Sequence, residues 1–200
     1  MPESNLTKKA LAQTLKDLIH TQSFEKIGVN DICDACQVSR KTFCYHFRDK
    51  YALAEWIFDT EIIALLQKCD LEDRWATIQA LCRYFYDNRV FYAGLMQFQG
   101  QNSFRYHFAE FLFSAVEKFL LPERREICAA ADFGGVTPEA AQAFYSRSIA
   151  DAVLLAMYRW LTGGEKLPPD EFVALLRSTE KLIHVKMEQL MGPSTEAEVI

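Results

Sequence analysis

Apolar residues recur along this chain at intervals of three and four, and glycine and proline fall mostly at the edges of the periodic stretches. Leu11, Leu15, Leu18 and Ile19 predict a first helix over about 6–21. Val29, Ile32, Cys33 and Cys36 place a short second helix over 29–36, with those four residues on one side. Gln37-Val38 is the connection, and Ser39 is suited to cap a third helix running through about 46. Asp49 is a good cap for a fourth helix over 50–68, whose expected buried stripe is Leu53, Trp56, Ile57, Ile63 and Leu66. Helical periodicity continues over about 72–88, 89–99 and 103–120, with Pro122 forcing a break. Gly134-Gly135 marks a loop, and Thr137-Pro138 reads as a cap followed by proline at the first helical position. That helix ends at Gly163-Gly164, and Pro168-Pro169-Asp170-Glu171 opens a last one reaching Met191. Period-2 alternation bounded by turns is missing throughout, so the expected fold is all-α with about nine helices.

Composition narrows the class. The chain has 200 residues, 50% hydrophobic and 24% charged, which excludes a disordered chain and a membrane-spanning one. No apolar run approaches the roughly 20 residues that cross a bilayer. The opening MPESNLTKK lacks the apolar stretch of a signal peptide, so a cytoplasmic protein with reduced cysteines is expected. The net charge of −5 is unevenly placed. Residues 1–50 carry eight Lys/Arg against six Asp/Glu, whereas residues 51–200 carry fourteen against twenty-one. A basic N-terminal end on an acidic body suits a polyanion bound through that end alone.

The stretch from Ile27 to Lys50, IGVNDICDACQVSRKTFCYHFRDK, has the form of a helix–turn–helix with a polar, basic second helix. Ile32, Cys36, Val38, Phe43 and Phe47 can lock the two helices at a fixed angle. Ser39, Arg40, Lys41, Thr42, Tyr45 and His46 then face outward, where hydroxyls and cations meet phosphates and base edges. The competing reading of the same spacing is a solvated turn between two core helices.

The spelling V-S-x-x-T-F-x-Y-H-F within Phe24–Lys50 resembles the DNA-binding domain of the TetR/AcrR family of transcriptional regulators. The similarity covers about residues 6–55. Together with the late Y-R-W-L-T-G-G stretch, the T-F-x-Y-H-F-x-D-K-Y spelling is similar to the subgroup of dihydroxyacetone-kinase operon activators. The resemblance implies that Thr42, Tyr45, His46 and Lys50 touch phosphate or groove, and that Arg40 and Lys41 read bases. Two positions depart from the family pattern. Cys44 stands where the family usually has a phosphate-contacting tyrosine, and Gln37 replaces the usual glycine of the turn. A left-handed Gln37 costs about 1 kcal/mol more than glycine there.

Beyond residue 50 the signals are broader. Twelve aromatics lie among the 36 residues from Tyr84 to Phe119. This density suits an ordinary core, but mixed with Gln97, Arg105 and His107 it also suits a ligand cavity. The resemblance favours the cavity, with Tyr84, Phe98, Phe104, Arg105, His107, Phe108 and Phe111 as its expected lining. The helix over 138–162 is apolar on nearly every face, and Ser148, Ala152 and Ala156 form a small-residue stripe at spacing four. With Leu155, Arg159, Phe172, Leu176 and Ile183 it reads as a two-fold interface between copies of the chain.

Cys33-x-x-Cys36 lies on the inward face of a short helix and is read as core, because structural zinc requires four ligands. Histidines 20, 46, 107 and 184 build no metal spacing, and phosphate-loop, nucleophile-elbow and zinc-protease motifs are missing. No cofactor, metal or catalytic residue is therefore expected. The chain reads as a DNA-binding module over residues 1–50, a sensing and dimerisation module over 51–193, and a disordered tail over 194–200. Its expected partners are double-stranded palindromic operator DNA, a second copy of itself and a small-molecule effector, with no membrane. The rival is a small-molecule-binding or protein-interaction module that keeps the helix–turn–helix only as scaffold.

Overall fold

A computed structural model describes residues 2–98, 100, 103–119, 135–164 and 167–191. Among these residues the architecture is all-α, with nine helices. They are α1 (Pro2–Ile19), α2 (Val29–Cys36), α3 (Arg40–His46), α4 (Lys50–Leu66), α5 (Arg74–Asp87), α6 (Arg89–Gln97), α7 (Phe104–Phe119), α8 (Pro138–Thr162) and α9 (Pro169–Met191). The first starts before the expected position 6, and α4 stops short of 68. Pro122, Gly134, Cys128 and the tail over 194–200 lie outside the described residues.

The helix starts follow from local chemistry. Ser39 Oγ accepts the Thr42 N–H at 3.0 Å, Asp49 Oδ1 accepts the Ala52 N–H at 2.8 Å, and Thr137 Oγ1 accepts the Ala140 N–H at 3.3 Å. Each satisfies one of the orphan donors of a first turn. Pro138 then takes the first position of α8, where its missing N–H costs nothing. Asp73, which the sequence reading did not single out, caps α5 in the same way, accepting the Ala76 N–H at 2.9 Å.

Apart from a small second cluster at Val116 and Ala150, most buried apolar side chains between Leu11 and Val173 form one main cluster. Phe58 of α4 is its hub, with the rings of Phe85, Tyr92, Phe104, His107, Phe108 and Phe111 all between 5.1 and 6.4 Å away. The face that α4 buries is Lys50, Leu53, Ala54, Ile57, Phe58 and Ile62. This corrects the expected stripe: Ile63 is 56% exposed, while Trp56 and Leu66 pack at the margin of the core. Ile62 and Ile63 differ by about 100° around the helix, so only one of them can face the core.

The last helices dock through specific contacts. Trp160 of α8 stacks on Phe172 of α9 at 4.2 Å with the rings 1° from parallel, and its Nε1–H donates to the Leu167 carbonyl at 2.8 Å. Arg105 of α7 lies over the Tyr158 ring, and Arg147 of α8 pairs with Glu110 of α7 at 2.9 Å. Gln79 and Arg83 of α5 both donate to Asp170, at 2.9 and 3.0 Å. No described helix is long and apolar enough to cross a membrane.

Candidate nucleic-acid interface

The helix–turn–helix is held from within. Ile32 and Phe43 are fully buried, with Cys33 and Phe47 close behind them. Phe43, Phe47 and Trp56 form a chain of ring contacts at 6.0 and 5.7 Å that ties α3 to α4. The expected lock is present, although Cys36 and Val38 sit at its half-buried edge and Cys33 takes the inner place.

The turn itself is strained. Gln37 adopts the left-handed conformation, with φ 56° and ψ 38°. Its N–H bonds to the Asp34 carbonyl at 3.2 Å, and the Val38 N–H reaches back to the Cys33 carbonyl at 3.0 Å. This is the hydrogen-bond pair with which a helix closes on a left-handed residue, usually glycine.

Ser39, Arg40, Lys41, Cys44 and Tyr45 are exposed on α3, and Thr42 and His46 are half-buried beside them. Tyr45 is 81% exposed, with the His46 ring 5.0 Å away. That ring surface, left in solvent beside His46, is available for contact with a partner. Cys44 shares the outward face, in keeping with the tyrosine position that it replaces. Arg40 Nη1–H donates to Asn30 Oδ1 at 2.8 Å, so α2 orients this guanidinium before any partner arrives. Sequence reasoning missed Asn30 and also Lys8. The ammonium of Lys8 lies 5.7 Å from the centres of both the Phe47 and Trp56 rings, which adds positive charge beside the end of α3. The basic Lys8-Lys9 pair at the start of α1 was the available signal.

Lys50 is different and needs correction. Its side chain is buried, and its ammonium donates to the carbonyls of Phe24, Glu25 and Ile27 at 2.7, 3.0 and 2.6 Å. All three donors are consumed inside the protein. The charge also lies 4.7 Å from the Phe24 ring centre. Burial pulls its pKa below the ordinary lysine value, opposed by the nearby Glu25 and Asp31 carboxylates. The ammonium therefore fastens the segment between α1 and α2 to α4 rather than reaching for phosphate.

Apart from Phe98, the residues expected to line a ligand cavity border neither of the two best-formed clefts among the described residues. Phe104 and Phe108 are buried against Phe58, and Phe111 packs on the same hub. Tyr84 donates a short hydrogen bond to Glu61, His107 Nε2 meets Asp59 Oδ1 at 2.7 Å, and Arg105 covers Tyr158. These six are engaged with one another or with neighbouring side chains. Phe98 stands apart, against Phe24 and Tyr51, at the margin of a cleft of about 570 Å³.

The expected interface set divides as well. Ser148, Ala152, Leu155 and Arg159 lie exposed on one face of α8, with Ala156 half-buried alongside. Phe172 is a correction: it is buried under Trp160, where a second copy cannot touch it. Leu176 is partly buried against the core, and the side chain of Ile183 lies outside the described residues. Among the described residues no cluster of His, Cys, Asp and Glu could hold a metal, and Cys33 is buried as expected of a core residue.

Comparison with known proteins places this arrangement. Residues 13–57 match the family described as bacterial regulatory proteins, tetR family, and residues 73–180 match a transcriptional regulator C-terminal region. The HTH-type dhaKLM operon transcriptional activator DhaS of Lactococcus lactis subsp. lactis (strain IL1403) is 30% identical over 93 residues, 46% of this chain and 50% of that protein. The match thus spans about half the length of that relative. The structure of the dihydroxyacetone kinase operon activator DhaS superposes with a TM-score of 0.61 at 23% identity, covering 88% of this chain and 97% of that one. NalD, the secondary repressor of the MexAB-OprM multidrug efflux pump in Pseudomonas aeruginosa, superposes at 0.61 with 17% identity over 90% and 97% of the two chains. FadR of Thermus thermophilus, solved in complex with lauroyl-CoA, superposes at 0.55 with 18% identity over 96% and 100%. These structures share the fold. With one family model on the helix–turn–helix and the other on more than half of the chain, this protein belongs to the TetR family of bacterial transcriptional regulators and is not an enzyme.

Proposed function

We propose that the chain works in the cytoplasm as a homodimeric, ligand-responsive regulator that reads a palindromic operator with α3. Residues 1–50 would carry DNA recognition, and residues 51–193 sensing and assembly. The observation that carries the reading is the outward face of α3, where Ser39, Arg40, Lys41 and Tyr45 are exposed above a fully buried Phe43. Thr42 and His46 flank that face and are assigned to phosphate, while Arg40 and Lys41 are assigned to base edges. Lys50 keeps no place among these contacts.

Assembly is assigned to the exposed face of α8. Small side chains at Ser148, Ala152 and Ala156 allow close approach, and Leu155 is 44% exposed beside them. Leu175 on α9, 57% exposed, extends the apolar surface. Reading two half-sites requires two recognition helices about one DNA turn, roughly 34–36 Å, apart, which suits a two-fold interface at the end far from α3.

The test is selection of bound sequences from a random DNA pool, followed by binding to the enriched site and to the chain's own promoter fragment. Enrichment of an inverted repeat, lost on joint substitution of Thr42 and His46 by alanine, is the expected result. Recovery of no preferred sequence, or binding indifferent to both substitutions, would favour a module that keeps the helix–turn–helix as scaffold.

A further inference from the structure

The cleft bounded by α1, α6 and α8 is not used by the reading above. One wall is the end of α1 and the segment running into α2, including His20 and Gln22. The other is a face of α6 presenting Arg89, Ala93 and Gln97, and Phe98 closes one end. The walls come close at Gly94, where a Cβ would stand 3.0 Å from Ile19 Cγ2, so glycine lets α6 lie against α1 without displacing that side chain. Beside that point the space opens to about 570 Å³, within the range of small-molecule sites.

The lining carries unspent polar chemistry. Arg89 is half-buried and lies 5.7 Å from the Tyr86 ring, yet its guanidinium has no carboxylate or carbonyl partner among the described residues. Gln22 and Gln97 line the same space. A planar guanidinium without an anion is matched to a carboxylate, which it can hold through two parallel hydrogen bonds. Glu25 on the α1 side adds a negative charge that disfavours a dianion such as phosphate. The Phe98 ring, held by Phe24 and Tyr51, offers an apolar surface to the rest of a ligand.

We propose that this cleft is an effector site for a small organic monocarboxylate with a planar apolar body. Arg89 pairs with the carboxylate, Gln22 and Gln97 donate to its oxygens, and the apolar body lies toward Phe98. One wall belongs to the part of the chain that carries α3 and the other to the part behind it, so occupancy favours one relative placement of the two. A ligand shifts such an equilibrium only through its differential affinity for the two placements. The effector role rests on the regulator reading given above.

Calorimetric titration of the full chain with benzoate and with 2-naphthoate tests the site, and the operator affinity of the same samples tests its consequence. One saturable site per chain is expected, weakened at least about tenfold in Arg89→Gln, as loss of one charge-assisted pair predicts. Ala93→Trp should abolish binding by filling the space, and His107→Ala in the aromatic core should leave it unchanged. Helical circular dichroism and melting of Arg89→Gln, a half-exposed position, establish that its loss is not unfolding. Both probes failing to saturate below about 10 mM, a range weaker than any useful site, or binding equally to all variants, would overturn the site. Saturable binding with no change in operator affinity would overturn the effector role. A free chain that binds no DNA would instead sink the regulator reading, leaving the calorimetric result intact.

Discussion

Lys16 of α1 donates to both carboxylate oxygens of Glu61 on α4, each at 2.7 Å. Glu61 also accepts from the Tyr84 hydroxyl of α5, which lies 2.7 Å from the Tyr92 hydroxyl of α6. Four helices are thus joined by one polar chain that ends on a fully buried tyrosine. The Lys16 side chain is only 16% exposed and Glu61 33%, so the pair is better shielded than a surface ion pair. Lys16→Met and Glu61→Gln should each lower stability by about 1–2 kcal/mol, with a coupling of at least about 1 kcal/mol in the double variant. Urea unfolding of the four proteins measures this, and strictly additive costs would show that the pair does not act as a unit.

Lys50 separates structural from nucleic-acid roles. Removing its ammonium orphans three carbonyls, two of them in buried contacts. Lys50→Met should therefore cost about 2–4 kcal/mol of stability, while the salt dependence of operator binding keeps its slope at temperatures where the variant is folded. Lys41→Ala should do the reverse, leaving the melting curve in place and changing the salt slope by about 1 if the side chain meets phosphate, or the preferred sequence if it meets a base.

Gln37 holds a backbone conformation that glycine adopts without Cβ strain. Gln37→Gly should raise stability by about 1 kcal/mol, reduced somewhat by the greater freedom of glycine in the unfolded chain. A fall in the denaturant midpoint would mean that the glutamine side chain makes a compensating contact.

Trp160 and Phe172 predict a division between folding and assembly. Phe172→Ala removes a buried ring stacked at 4.2 Å and should cost about 3–5 kcal/mol. Ala152→Glu lies on the exposed face of α8, so the folded subunit should tolerate it within about 0.5 kcal/mol. In the proposed dimer, two unpaired carboxylates near the two-fold axis should nonetheless separate the subunits. Sedimentation at micromolar concentration decides the matter, and a variant that remains a dimer would place the interface elsewhere.

Alkali should destabilise the fold through two tyrosines. Burial, with the neighbouring Glu61, raises Tyr84 well above the ordinary value near 10 against a small opposing effect of the Tyr92 hydroxyl, and burial with the Tyr84 hydroxyl and Glu61 raises Tyr92 likewise. Below that value both states are protonated, and this contribution is fully present. Above it the unfolded chain releases protons that the folded one retains, so stability is lost as pH rises, by up to about 1.4 kcal/mol per unit and per tyrosine. Stability measured between pH 9 and 11 in the wild type, Tyr84→Phe and Tyr92→Phe checks this, with a shallower decline expected in each variant.

Much of the local structure is legible without coordinates. Ser39, Asp49 and Thr137-Pro138 mark helix starts because a capping oxygen and the backbone N–H that donates to it lie three residues apart, well within one turn. The spacing of Ile32, Phe43 and Phe47 likewise announces two helices locked together, since periodicity reports which side of each helix is apolar. The apolar count alone could not decide which side of α4 faces inward, because that helix is apolar nearly all round and its neighbours choose Phe58 and Ile62 over Ile63. Nor could it tell that the rings of Phe85, Phe108 and Phe111 close on Phe58. The family resemblance placed Lys50 among the phosphate or groove contacts. Its three acceptors lie 23 to 26 residues earlier in the chain, and only the packing of α1, α2 and α4 brings them to it. Local hydrogen bonding and hydrophobic period determined the elements, whereas the direction of each ambivalent side chain was decided by partners distant in sequence, which exist as neighbours only after the chain has folded.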